Sequence, residues 1–227
     1  MMNYIEIDGV RSTYKLKFDK LPLFPMAARK TETYNVGRDE TASYMLDEYE
    51  DIDVTLTAYM IGNTTILDVY KWISGGKMLT MSTQPSIYAK IKKVGKIQPE
   101  RTGWNAHKIV IPITLSPFKY SLENPERELE NGKHIHNYGS IYSRPIWTLY
   151  NVQSPVVLEV NGERLTINAE GGETVVIDTE RMVVYSGVTV ILDKTTGNLP
   201  FLNIGDNLIS WTGDVDRVTI RKNERWI

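Results

Sequence analysis

The chain has 227 residues, 41% of them hydrophobic and 24% charged, the balance of an ordinary globular protein large enough for one big domain or two small ones. It contains no cysteine, which excludes disulfide frameworks, thiolate metal sites and cysteine nucleophiles. A net charge of −2 gives no global signal for nucleic-acid binding, and no run approaches the ~18 apolar residues that cross a bilayer, so no membrane partner is expected.

The N-terminus carries charge where a secretion signal needs an apolar run, so no such signal is expected. Residues 4–9 and 14–18 read as short strands. Residues 31–44 are turn-rich, with Tyr34 and Tyr44 around the charged turn Val36-Gly37-Arg38-Asp39. This stretch is either an ordinary surface hairpin or an arm that reaches a neighbouring copy. Under the second reading Tyr34, Val36, Arg38 and Tyr44 are candidate subunit contacts. An acidic run follows: Asp47, Glu48, Glu50, Asp51 and Asp53.

From Ile52 to Ile61 the residues alternate, with Val54, Leu56, Ala58 and Met60 on one face, as in a half-buried strand. One helix is expected next. Thr64 or Thr65 caps it, Ile66, Tyr70 and Ile73 share a face with Leu67 beside them, and Gly75-Gly76 stops it. The positive excess of residues 1–120, 16 Lys and Arg against 13 Asp and Glu, sits mostly in Lys90, Lys92, Lys93, Lys96 and Arg101. They form either a solvated strand face or the wall of a channel that carries DNA. Trp104 follows Gly103 in a turn and is the best candidate for an exposed, ligand-facing aromatic. In residues 107–115, Ile109, Ile111, Ile113 and Leu115 share a face. Pro112, which has no N–H for the ladder, marks an edge or a bulge.

Around 117–137 the chain turns polar and acidic. This places a linker at 121–137, between a first domain over 1–120 and a second over 138–227. The second half reads as strand and turn throughout. Asn161-Gly162 between alternating apolar runs is a strong hairpin signal, and Asp178-Thr179-Glu180-Arg181 reads as the turn of a second hairpin. Short strands near ten-residue spacing suggest a β-sandwich or jelly roll.

Catalytic chemistry is sparse. His134 and His136 fall on one face of a strand with no third ligand singled out, so no metal site is expected; His107 starts a strand and reads as a hydrogen-bonding partner. No P-loop, GxGxxG, HExxH or GxSxG motif occurs, and neither an enzyme activity nor a cofactor is expected. Trp72, Trp147 and Trp211 lie in apolar contexts that favour packing. Trp226 closes a sheet or meets a neighbour.

Several segments together resemble the distal tail protein (Dit) family of long-tailed phages. They are Val36-Gly37-Arg38-Asp39, similar to a V-P-G-R-D-G turn but lacking its Pro; residues 67–79 with Trp72-Ile73; and Ser116-Pro117-Phe118-Lys119-Tyr120. Asn137-Tyr138-Gly139 follows with Arg144-Pro145-Ile146-Trp147, then Ile177-Asp178-Thr179-Glu180 with Val184-Tyr185. The series ends with residues 197–207, from Gly197-Asn198-Leu199-Pro200 to Asn207, then Val218-Thr219-Ile220 and Arg225-Trp226-Ile227.

The resemblance implies a mainly β chain of two β-sandwich-like domains, the first with one α-helix and the second galectin-like. It implies a homohexameric ring at the virion tail tip, assembled in the host cytoplasm. That ring joins the tail tube protein to a tail-tip or tail-associated protein, lets DNA pass, and carries a receptor-binding protein or fibre. A carbohydrate-binding module is the alternative, because the galectin-like sandwich that the resemblance implies can bind sugars, with Trp104 or Trp147 as stacking platform. A small jelly-roll hydrolase ranks third.

Overall fold

The structure, a computed structural model, describes residues 3–12, 15–36, 40–61, 65–104, 106–169 and 171–227, with side chains described except at 34–36, 40–45 and 47. The chain divides into two compact units, Met1–Leu122 with Ile227, and Glu123–Trp226.

The first unit contains β1 (Ile5–Ile7), β2 (Val10–Arg11), β3 (Leu16–Phe18), β4 (Arg29–Val36), β5 (Glu40–Tyr49), β6 (Ile52–Ile61), α1 (Ile66–Ile73), β7 (Met78–Met81), β8 (Gln84–Val94), β9 (Gln98–Gly103) and β10 (Ala106–Ser121). One antiparallel sheet runs β2-β1-β7-β8-β10-β6-β3, and β9 also pairs with β10. Its core follows the period of two. Val54, Leu56, Ala58 and Met60 of β6 are buried, as are Ile109, Ile111, Ile113 and Leu115 of β10.

The α1 helix begins as its sequence dictates. Thr65 is the N-cap, and it forms a reciprocal capping box with Asp68 in which the Asp68 amide donates to the Thr65 hydroxyl and the Thr65 amide to the Asp68 carboxylate. Val69 and Ile73 carry the helix into the core, whereas Leu67 is exposed. Thr64, the other capping candidate, lies outside the described residues.

Pro112 is neither on an edge strand nor in a bulge. It pairs with Thr55 of β6, and on its other flank the partner of β10 changes there from β9, which ends its pairing at Val110, to β8, which begins at Ile113. Only the Pro112 carbonyl is used on that side, accepting from Gly95 N at 2.7 Å. A missing N–H therefore breaks no ladder bond.

The second unit is a two-sheet sandwich. Its strands are β11 (Arg127–Glu128), β12 (Lys133–Asn137), β13 (Ile146–Val152), β14 (Val156–Val160), β15 (Glu163–Ile167), β16 (Glu173–Asp178), β17 (Val183–Ser186), β18 (Thr189–Val190), β19 (Thr195–Gly197), β20 (Gly205–Thr212) and β21 (Arg217–Arg221). One sheet runs β11-β21-β13-β16-β17-β18 and the other β12-β20-β14-β15-β19. Trp147, Leu149, Ile177, Val218 and Ile220 from the first and Leu158, Val160, Leu165, Ile167 and Ile209 from the second form one core. The Asn-Gly turn is present as its sequence requires, with φ of +53° at Asn161 and +89° at Gly162.

The linker expected at 121–137 is instead part of this sandwich. β11 pairs with β21, and β12 pairs with β20 over its full length. The segment lacks apolar alternation because side-chain hydrogen bonds attach it. The Glu126 carboxylate accepts from Thr219 Oγ1 at 2.5 Å and Tyr150 OH at 2.8 Å, and Asn131 is bonded to the backbone of Trp211 at both ends of its carboxamide.

Candidate functional site

The β4–β5 hairpin stands apart from the other sheets. Its two strands pair with each other and, among the described residues, with no further strand. An isolated two-stranded ribbon is marginally stable in water and leaves both edges with unmatched N–H and C=O groups. Its base is fastened. Glu50 N donates to Ala28 O at 2.9 Å, Lys30 Nζ meets Glu48 Oε2 at 2.6 Å, and the Tyr49 ring sits edge-on to Phe118 with centroids 5.5 Å apart. Farther out, Thr31, Glu32 and Thr33 are exposed.

Of the candidate contacts, Tyr34 is paired by backbone with Ala42, Tyr44 with Glu32, and Val36 with Glu40. The side chains of Tyr34, Val36 and Tyr44, and all of Arg38, lie outside the described residues.

The basic run divides into two kinds of lysine. Lys90 Nζ lies 4.3 Å from the Tyr120 ring centroid, a cation–π distance. Lys92 Nζ meets Asp51 Oδ1 at 2.5 Å, so the acidic and basic runs already meet inside one chain. Lys93 and Lys96 are exposed and have no ion pair with another described residue. A bulge explains two adjacent outward lysines: β10 pairs Thr114 with Lys93 and Leu115 with Ile91, which leaves Lys92 as the extra residue.

Trp104 sits in the turn between β9 and β10 and is 89% exposed, with no hydrogen bond or ring contact to another described residue. Trp147 cannot serve as a stacking platform. It is fully buried, and its indole N–H donates to Pro200 O at 3.2 Å. His134 and His136 lie on β12, both exposed, and His136 Nδ1 contacts Asp206 Oδ1 at 2.6 Å. No cluster of three or more His, Asp or Glu that could hold a metal occurs among the described residues.

The loops at one end of the second unit are organised by two buried asparagines. Asn137 Nδ2 donates to the carbonyls of Ile141, Leu202 and Asn203, while its Oδ1 accepts from Gly139 N at 3.0 Å. Asn207 Nδ2 donates to Asn203 O at 3.0 Å and Gly205 O at 2.8 Å, and its Oδ1 accepts from Asn203 N and Asn161 Nδ2, both at 2.7 Å. Both residues belong to the segments quoted for the family resemblance. The chemistry that makes them matter, a carboxamide satisfying several loop backbones at once, needs the fold to be seen.

No family model matches the sequence, and no curated protein matches it. Solved structures do. The crystal structure of the Dit protein (gp 19.1) of phage SPP1, described as a paradigm of the hub adsorption apparatus in phages infecting Gram-positive bacteria, matches over 100% of both chains with a TM-score of 0.69 at 12% identity. The chain has the Dit fold.

Two structures of the phage p2 baseplate in its activated conformation match as well. The strontium form has a TM-score of 0.51 at 12% identity over 96% of this chain and 97% of that one, and the calcium form 0.50 at 11% over 97% of each. In this Dit fold, Asn137-Tyr138-Gly139 and the 197–207 segment are the two halves of one pinned loop system. Ser116-Pro117-Phe118 is the irregular stretch of β10 between Leu115, paired with Ile91, and Lys119, paired with Ala89.

Proposed function

We propose that this chain is the hub of a phage tail tip. Six copies close into a ring that joins the tail tube to the tip proteins and leaves a central passage for DNA. The observation that carries this reading is the likeness to the SPP1 hub protein over the whole of both chains, with neither unit left over. A head-to-tail contact that closes by rotation gives such a ring without any reaction centre.

The β4–β5 ribbon supports the same reading. Its unpaired edges and exposed outer half are suited to pairing with a neighbouring copy, where Tyr34, Val36, Arg38 and Tyr44 would make the contact. Lys93 and Lys96 are the lysines left to line the passage, while Lys90 and Lys92 are occupied within the chain. A modest positive wall suits transit better than a strongly binding one, because each neutralised phosphate steepens the salt-dependent affinity. The second unit, on the outside of the ring, would carry a receptor-binding protein or fibre, in a virion assembled in the host cytoplasm.

Native mass spectrometry tests this reading. The full chain is expected as six copies of 25.9 kDa, and a chain with residues 31–45 replaced by a short Gly-Ser turn as single copies. A full chain that stays single at every concentration counts against it.

A further inference from the structure

The pinned loops of the second unit border a half-open cavity of about 390 Å³, lined by Asn161, Glu163, Met182, Asn198, Phe201 and Asn203 among others. We propose that this cavity binds a neutral saccharide, through hydroxyl contacts to the carboxamides and Glu163 and an apolar contact to Phe201 and Met182. The proposal rests on the second unit alone and holds whether or not copies close into a ring.

The lining chooses the ligand class. Three carboxamides and one carboxylate supply donors and acceptors in the mixture that a ring of hydroxyls needs. Phe201, Leu199 and Met182 supply an apolar wall for the C–H face of such a ring. Among the described residues no Lys, Arg or His lines the cavity, and Glu163 adds a negative charge, which disfavours phosphates, nucleic acid and uronic acids. The single carboxylate is too few for a hard cation. The volume is at the small end of the roughly 300–1,000 Å³ typical of ligand cavities, a size that suits one or two sugar rings rather than a long chain.

The cavity is also built in advance. Asn198 Nδ2 donates to Glu163 Oε2 at 3.0 Å, which orients both groups and leaves the Asn198 carbonyl, its second N–H and the other Glu163 oxygen for a ligand. Asn161 is held from below, donating to Asn207 Oδ1 at 2.7 Å and accepting from Leu208 N at 3.0 Å. Trp147 fixes Pro200 between Leu199 and Phe201, and Asn207 fixes the Asn203 backbone on both its N–H and its C=O. Met182 lines the cavity from a left-handed backbone, φ +58°, a conformation that usually selects Gly or Asn. Groups held in place before binding lose little entropy on binding.

Saturation-transfer NMR on the full chain, with glucose, galactose, rhamnose and N-acetylglucosamine as probes and glucuronate as the charged control, tests the site. Transfer is expected to at least one neutral sugar, with glucuronate weaker. Asn198→Ala and Glu163→Ala are each expected to weaken that binding about tenfold, as the loss of a hydrogen bond or two implies. Both side chains are exposed, so an unchanged unfolding temperature separates loss of the site from loss of the fold. The proposal is overturned by no transfer from any neutral probe at tens of millimolar. It is equally overturned by binding that persists unchanged in both variants, or by glucuronate binding as well as the neutral sugars.

Discussion

Asn137 and Asn207 donate to the same backbone carbonyl, that of Asn203, at 3.2 and 3.0 Å. The two residues are 1% and 0% exposed and come from β12 and β20, the paired strands that carry the loop system. Each is a polar side chain fully taken out of water, and each recovers that cost because its carboxamide bonds several loop backbone groups at once.

Asn207→Ala should therefore cost about 2–4 kcal/mol, since it strands the Asn203 N–H and the Gly205 carbonyl and leaves the Asn203 carbonyl to Asn137 alone. Urea unfolding followed by tryptophan fluorescence measures this. Asn137→Ala should cost a similar amount, and the double variant more than the sum, because only it leaves the shared Asn203 carbonyl with neither donor. A loss below about 0.5 kcal/mol for either single change would mean that water replaces the carboxamide.

Glu126 gives the stability a pH dependence. Hydrogen bonds from Thr219 and then Tyr150, with the Arg221 charge behind them, hold its carboxyl below the ordinary value of 4.5. The folded-state pKa is thus depressed. Its stabilising contribution is complete above 4.5 and is lost as pH falls through the lowered folded value. Glu126→Gln should cost about 1 kcal/mol at neutral pH, with the difference from the parent shrinking toward zero in acid. Thermal midpoints of the two proteins across pH 7 to 3 give the comparison, and a gap that widens in acid would reverse the assignment.

Gly139 tests the close approach in the same loop system. A Cβ there would lie 2.5 Å from Arg225 O and 3.0 Å from Asn137 Oδ1, both held by backbone or by the buried network. Gly139→Ala should destabilise by about 2 kcal/mol or more through displacement of that backbone. Chemical-shift changes in the amide spectrum should concentrate at residues 137–143 and 203–207. A variant as stable as the parent would show that the loop yields.

Much of the sheet and core was legible in the residues themselves. β6 and β10 announce themselves by strict alternation, α1 by Thr64 or Thr65 ahead of Ile66, Tyr70 and Ile73, and the β14–β15 turn by Asn161-Gly162. What was missed has a common cause. β8 loses its alternation where the Lys92 bulge shifts the phase, and β11 and β12 are attached by Glu126 and Asn131 rather than by apolar contacts, so their residues read as a linker. The isolation of the β4–β5 ribbon, and the meeting of Asn161, Asn198 and Asn203 around one cavity, depend on contacts between residues distant in sequence. No local pattern encodes these. Of the aromatic candidates, Trp104 is exposed, and Trp147 is the core residue that its apolar context favours; what the sequence does not show is that its indole positions a loop.

The proposed ring requires that identical copies close around a hole. Negative-stain electron microscopy of the purified full chain at tens of micromolar tests it most directly. Six-fold class averages with an open, stain-filled centre are the predicted result. Uniform single particles across the whole concentration range, with no closed ring in any class, would contradict it.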